Sequence, residues 1–224
     1  EHSAVIKTAQ SLERSSGTTL DLVRHLPNGK VDLEHLAALL AKGGKTIVSL
    51  MHANNEVAVI QDLERIGTLC REAGALFHSD TVQTICHYAF DLEALPVDFI
   101  TCSAHKFHGP KGVGFLYVRK GVKLKGQIEG GSQERAMRGG TESTHNIVGL
   151  AAAMDLAYTD LVAHQDHVRA LKAQMATGLT EAIPGVRFNG DSDSPDGLYT
   201  VLNVSFPPHP LSLIHISEPT RHTR

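Results

Sequence analysis

The sequence has no tryptophan, only three cysteines and just 5% aromatic residues in 224 positions. So few rings leave little with which to stack against bases or sugars. Cys70, Cys86 and Cys102 show no Cys-x-x-Cys spacing, which excludes a disulfide scaffold and a cysteine-based zinc site. Their scarcity fits a reducing compartment, most simply the cytoplasm. No run approaches the roughly 20 apolar residues that a membrane-spanning helix needs. An excess of positive charge is also missing. A formal net charge of -3 argues against a nucleic-acid binder working by phosphate neutralisation. The chain opens at Glu1-His2 with neither Met nor a signal-peptide pattern, and the expectation is a fragment of a longer protein. What remains is the profile of an ordinary soluble globular protein, 42% hydrophobic and 20% charged.

Short apolar runs alternate with helix-like segments, the pattern of an α/β domain built on a mostly parallel sheet. Apolar residues at helical spacing over 31–41 predict a helix stopped by Gly43-Gly44. A second is predicted over 62–72. Strands are predicted at 46–51, 75–78, 99–103 and 113–118. The polar stretch between Gly130-Gly131 and Gly139-Gly140 reads as a long excursion. From Ile147 to about Ile183 the helical period runs almost unbroken, giving one long helix or two in series, ended by Pro184-Gly185. The expected organisation is a large domain over 1–146, a linking helix or helices over 147–183, and the start of a small α/β domain over 184–210. Two strands are expected there, at 186–189 and 198–204. Residues 211–224 resemble the in-frame translation of a sequencing-library adapter and are set aside as a non-native tail.

Polar clusters follow the predicted strands: His52-Ala-Asn-Asn-Glu56, then His78-Ser-Asp-Thr-Val-Gln83, then Ser103-Ala-His-Lys106. In an open parallel sheet the carboxyl ends of the strands line the ligand crevice. A lysine at that edge, flanked by small hydrogen-bonding residues, is a candidate Schiff-base nucleophile. An aspartate on a neighbouring strand is what a pyridinium nitrogen requires. Alone, Lys106 is a surface lysine and Asp80 a helix N-cap; together they point to a cofactor site.

The run Ser-Ala-His-Lys-Phe-His-Gly-Pro-Lys-Gly-Val-Gly over 103–114, with the two upstream clusters and Gly131 to Thr141, resembles the cysteine desulfurases of the class V aminotransferase superfamily. The resemblance extends from Glu1 to about Pro210. It implies the fold type I architecture of enzymes dependent on pyridoxal 5'-phosphate. Lys106 would bind that cofactor covalently and move the substrate proton, with His2 stacked on the ring and sharing in proton transfer. Asp80 would pair with the pyridine nitrogen, Gln83 with the ring hydroxyl, and Asn55 would hold substrate nearby. Ser103 and His105 would bind the phosphate. Thr141 would reach the cofactor phosphate of a second subunit, which implies a homodimer. The implied reaction converts L-cysteine to L-alanine and passes sulfur, as a protein persulfide, to an iron–sulfur scaffold or a tRNA-thiolation protein.

Some expected parts fall outside the chain. The resemblance places a phosphate loop before Glu1, and a sulfur-accepting cysteine and a carboxylate-clamping arginine after about 210, so the chain by itself is expected to be inactive. The three cysteines present read as packing residues. Asn54 and Asn55 could instead form an Asx turn, and the glycines of 109–114 read as serving a tight turn. Selenocysteine lyase, a non-catalytic dimerisation module and a histidine-rich metal domain are the alternatives. The last is disfavoured because His105 and His108 straddle Lys106 and nothing completes a tetrahedral set.

Overall fold

The computed structural model describes residues 1–207; the adapter-like segment lies outside the described residues. A helix, α1 (Ser3–Ser16), comes first and is capped by the His2 side chain. Helix α2 (Leu33–Leu40) starts where Asp32 accepts the His35 N–H at 2.9 Å. Strand β1 (Ile47–Ser49) follows. Helix α3 (Leu63–Glu72) starts in the same way, Asp62 accepting the Arg65 N–H at 3.0 Å. In both, the carboxylate satisfies a donor that the first turn leaves unpaired.

Strands β2 (Leu76–Asp80) and β3 (Phe99–Ser103) continue the sheet, and a 3-10 turn over Ala104–Phe107 leads to β4 (Gly114–Val118). The strand order is β1-β2-β3-β4. The first three run parallel, with Ser49 opposite His78 and Asp80 opposite Thr101. The fourth runs antiparallel, placing Gly114 opposite Ser103. A short tight connection permits only that direction, since a parallel return needs a long crossover. The core lies between the sheet and its helices and includes Leu36, Leu40, Ile66, Cys70, Phe77, Val97 and Ile100. The mostly parallel α/β sheet expected from the sequence is therefore present.

The glycine-rich excursion holds one short turn, α4 (Gln133–Ala136), in which Glu134 and Arg135 take left-handed backbone angles. The long apolar period resolves into two helices, α5 (Thr144–Thr159) and α6 (Leu161–Ala182), which meet at a 73° bend. Among the described residues no single helix is long and apolar enough to cross a membrane. A separate antiparallel pair, β5 (Arg187–Phe188) and β6 (Val204–Ser205), closes the described chain.

Two expectations need correction. Helix α1 is absent from the sequence-based reading, although Val5, Ile6, Ala9 and Leu12 share a helical face within its polar, serine-rich stretch. Residues 198–203 form no strand, because their backbone is spent elsewhere. The Leu198 N–H donates to Ala58 O at 2.8 Å, and Lys172 Nζ donates to Leu198 O at 3.0 Å.

Candidate active site

The carboxyl edge of β1, β2 and β3 collects most of the expected residues. After β1 the chain turns through Asn54, whose Oδ1 accepts the Glu56 and Val57 N–H groups at 2.9 and 3.0 Å. The Asx turn therefore belongs to Asn54, while the half-buried Asn55 side chain makes no hydrogen bond within the described residues. Segment 189–203 clamps this loop from outside. The Asp191 N–H donates to Val57 O at 2.9 Å, and Asn203 Nδ2 to Glu56 O at 2.9 Å. Leu198 packs in a small cluster with Ala53 and Ala58.

Asp80 ends β2, half-buried, its Oδ1 accepting the Val82 N–H at 3.0 Å. That local bond fixes one carboxylate oxygen. Gln83 lies half-buried in the turn that follows. Ser103 ends β3, half-buried; it occupies the cap position of the 3-10 turn yet gives no side-chain capping bond. Lys106 lies in that turn, half-buried, with His105 exposed beside it. Of the glycines beyond, Gly109 and Gly114 are close-approach residues and Gly112 serves a left-handed turn. A Cβ on Gly114 would sit 2.0 Å from Cys102 O, and Gly112 takes φ +81°.

The N-terminal residues reach the same edge. The Glu1 carboxylate accepts the Met51 N–H. Desolvation raises its pKa, and the charge of Asp80 pushes the same way, so the two carboxylates are neighbours. His2 follows directly. Its Nδ1 accepts the Ala4 N–H at 3.2 Å, so in the neutral ring the proton sits on Nε2, the nitrogen left for a ligand. Thr141 is exposed ahead of α5 and makes no side-chain hydrogen bond to this group within the described residues.

The buried histidines belong to packing. His52 pairs with Thr84 Oγ1 at 2.9 Å and meets Phe90 edge-on at 5.4 Å; desolvation lowers its pKa to about 4. His78 bonds Ser49 Oγ at 2.8 Å and is held neutral by burial. The three thiols are free and buried. Desolvation raises Cys70 and Cys86 to about 11 and Cys102 to about 12, well above the range of a working nucleophile. Among the described residues no group of three or more His, Cys, Asp or Glu could hold a metal ion. Sequence reasoning missed Glu1, His87 and Tyr199, whose partners lie far away along the chain.

A lysine, a carboxylate on the neighbouring strand, and a hydroxyl and imidazole beside the lysine match the donor set that a phosphorylated pyridine aldehyde requires. Comparison with known proteins decides the family, because the class-V aminotransferase family matches residues 1–215. The chain belongs to that family. Among its class-V relatives, the cysteine desulfurase IscS of Pectobacterium carotovorum is 40% identical over 208 residues, covering 92% of this chain and 50% of that protein. A solved NifS-like protein superposes with a TM-score of 0.84 at 40% identity, covering 92% of this chain and 56% of the other. The NifS-like protein from Rickettsia africae gives a TM-score of 0.85 at 29% identity, with coverages of 93% and 56%. The chain spans about half the length of the curated relatives it matches. Its sheet is that of fold type I.

Proposed function

We propose that the full-length protein is a pyridoxal 5'-phosphate-dependent cysteine desulfurase, which turns L-cysteine into L-alanine and hands the sulfur on as a persulfide. The observation that supports this reading is that Asp80 ends β2 while Ser103 ends the parallel neighbour β3, with Lys106 in the turn that follows. When bound, the cofactor supplies a sink for the electron pair left by the departing α-proton. Lys106 would tether it, and its amine would carry the proton at the substrate α-carbon. Asp80 would hold the pyridine nitrogen protonated and Gln83 would pair with the ring hydroxyl. Ser103 and His105 take the phosphate, Ser103 with a hydroxyl not engaged in capping. His2 would lie against the ring, with Nε2 available for proton exchange. Asn55 orients the substrate.

The raised pKa values of Cys70, Cys86 and Cys102 support assigning the sulfur acceptor to a different cysteine. Thr141, exposed on its glycine-flanked loop, suits contact with the cofactor phosphate of a second subunit, and so a homodimer. The sulfur would pass to an acceptor protein of iron–sulfur assembly or tRNA thiolation. Three unpaired thiols support a cytoplasmic location.

The test is to express the full-length gene, load it with cofactor, and measure alanine released from L-cysteine. Turnover is expected in the wild type. Lys106→Ala should lose the absorbance of the lysine-bound cofactor and at least ~10³-fold in turnover. A wild type that binds no cofactor would sink the reading.

A further inference from the structure

Lys106 sits in the 3-10 turn Ala104–Phe107, which closes with the His108 N–H on Ala104 O. The Gly109 N–H, which could have closed on Lys106, donates instead to Ala104 O at 2.9 Å. The Lys106 carbonyl is taken by a side chain from elsewhere, His87 Nε2 at 3.1 Å. His87 Nδ1 lies 2.8 Å from the Tyr199 hydroxyl, 112 residues away in sequence. A carbonyl can only accept, so Nε2 carries the ring proton. Nδ1 is then the acceptor, and the tyrosine hydroxyl donates. The chain of donors runs in one direction, from Tyr199 through His87 to Lys106.

We propose that His87 is a positioning residue for Lys106, its ring bridging the lysine's backbone carbonyl to Tyr199 and thereby coupling the segment after α6 to the lysine-bearing turn. This rests on the reading of Lys106 as the cofactor lysine.

The bridge is held from all sides. Tyr199 is 2% exposed, with the rings of Tyr88 at 5.8 Å and His164 at 6.2 Å and the Arg169 guanidinium 5.3 Å over its face. Gln165 of α6 donates to His87 O, and Lys172 of α6 donates to Leu198 O, next to Tyr199. Desolvation lowers the His87 pKa, which keeps the ring in the neutral form that the bridge needs. A lysine side chain is long and has many rotamers, so its amine is placed only as well as its backbone. A displacement of about 1 Å at a reacting group costs on the order of a hundredfold in rate.

Full-length protein carrying His87→Leu, His87→Gln and Tyr199→Phe tests this. Glutamine can donate to Lys106 O and accept from Tyr199; leucine can do neither. For His87→Leu, kcat per bound cofactor should fall about tenfold with KM within about twofold, and the pH midpoint of the cofactor absorbance should move. His87→Gln should restore most of both. Tyr199→Phe, which removes one hydroxyl, should move the midpoint in the same direction by less. A His87→Leu or Tyr199→Phe protein with unchanged midpoint and kcat would overturn the proposal, as would a His87→Gln protein as impaired as His87→Leu. Should His87→Leu fail to fold, Tyr199→Phe decides by the same midpoint.

A wild type that takes up no cofactor fails the functional reading but leaves the bridge testable. In 15N-detected spectra of the cofactor-free wild type, His87 should be neutral and protonated at Nε2. A ring protonated at Nδ1 overturns the bridge whatever the cofactor does.

Discussion

His52 shows how burial decides what a histidine can do. Its ring is pressed between Thr84 and Phe90 and its pKa falls to about 4, so it stays neutral where an exposed histidine would charge. In the unfolded chain the same ring titrates near 6.5. The folded pKa is depressed, so the stabilisation is fully present above pH 6.5 and is lost as pH falls toward 4. It amounts to on the order of 3 kcal/mol across that window. His78 and His87, also lowered by desolvation, act in the same direction. Urea midpoints of the full-length protein should therefore drop steadily between pH 6.5 and 4. His52→Asn, which keeps a polar partner for Thr84, should lower the midpoint at neutral pH yet flatten the decline. An equally steep decline in the variant would show that His52 is not its source. The positions of Asp80 and Lys106 at the ends of β2 and β3 were legible in the sequence because each lies beside the end of an apolar run. His87 was not, because both its partners become neighbours only through folding.

At the scale of elements, strands β1 to β3 and helices α2 and α3 were readable from period and caps, within a residue or two at each end. The antiparallel direction of β4 was not, because a run such as Val113–Val118 reads the same both ways; only the short connection after β3 settles it. Helix α1 went unread although Val5, Ile6, Ala9 and Leu12 fall at helical spacing. The β3–β4 pair also carries the sharpest steric constraint near the site. An alanine at Gly114 would place its methyl 2.0 Å from the backbone oxygen of Cys102, an atom that cannot swing aside. Gly114→Ala should cost about 1–3 kcal/mol and, since Gly114 pairs with Ser103, weaken cofactor retention. Gly178, exposed in α6, meets nothing within 4 Å. Gly178→Ala should instead stabilise by about 0.5–1 kcal/mol. Thermal melts of the two variants should shift in opposite directions; a shared sign would contradict the packing described.

For the whole molecule the informative feature is apolar surface left open. Ile47 on β1 is 60% exposed, and Val148, Leu156 and Val162 on the bent helix pair are 67%, 69% and 69% exposed. Scattered exposed residues are ordinary, but these cluster on one sheet edge and along two consecutive helices. Strand β1 pairs only with β2 among the described residues, so its other side presents unsatisfied backbone groups to any passing strand. The chain spans about half of its relatives' length, and the homodimer proposed above offers a second copy as cover. Residues 1–207 expressed alone should therefore aggregate or elute as large, polydisperse species in size-exclusion chromatography with light scattering. The full-length protein should run as a discrete dimer with a cooperative melt. A soluble 1–207 monomer with a single sharp transition would mean that this apolar surface is tolerated in water, and the inference that these faces exist to be covered would fall with it.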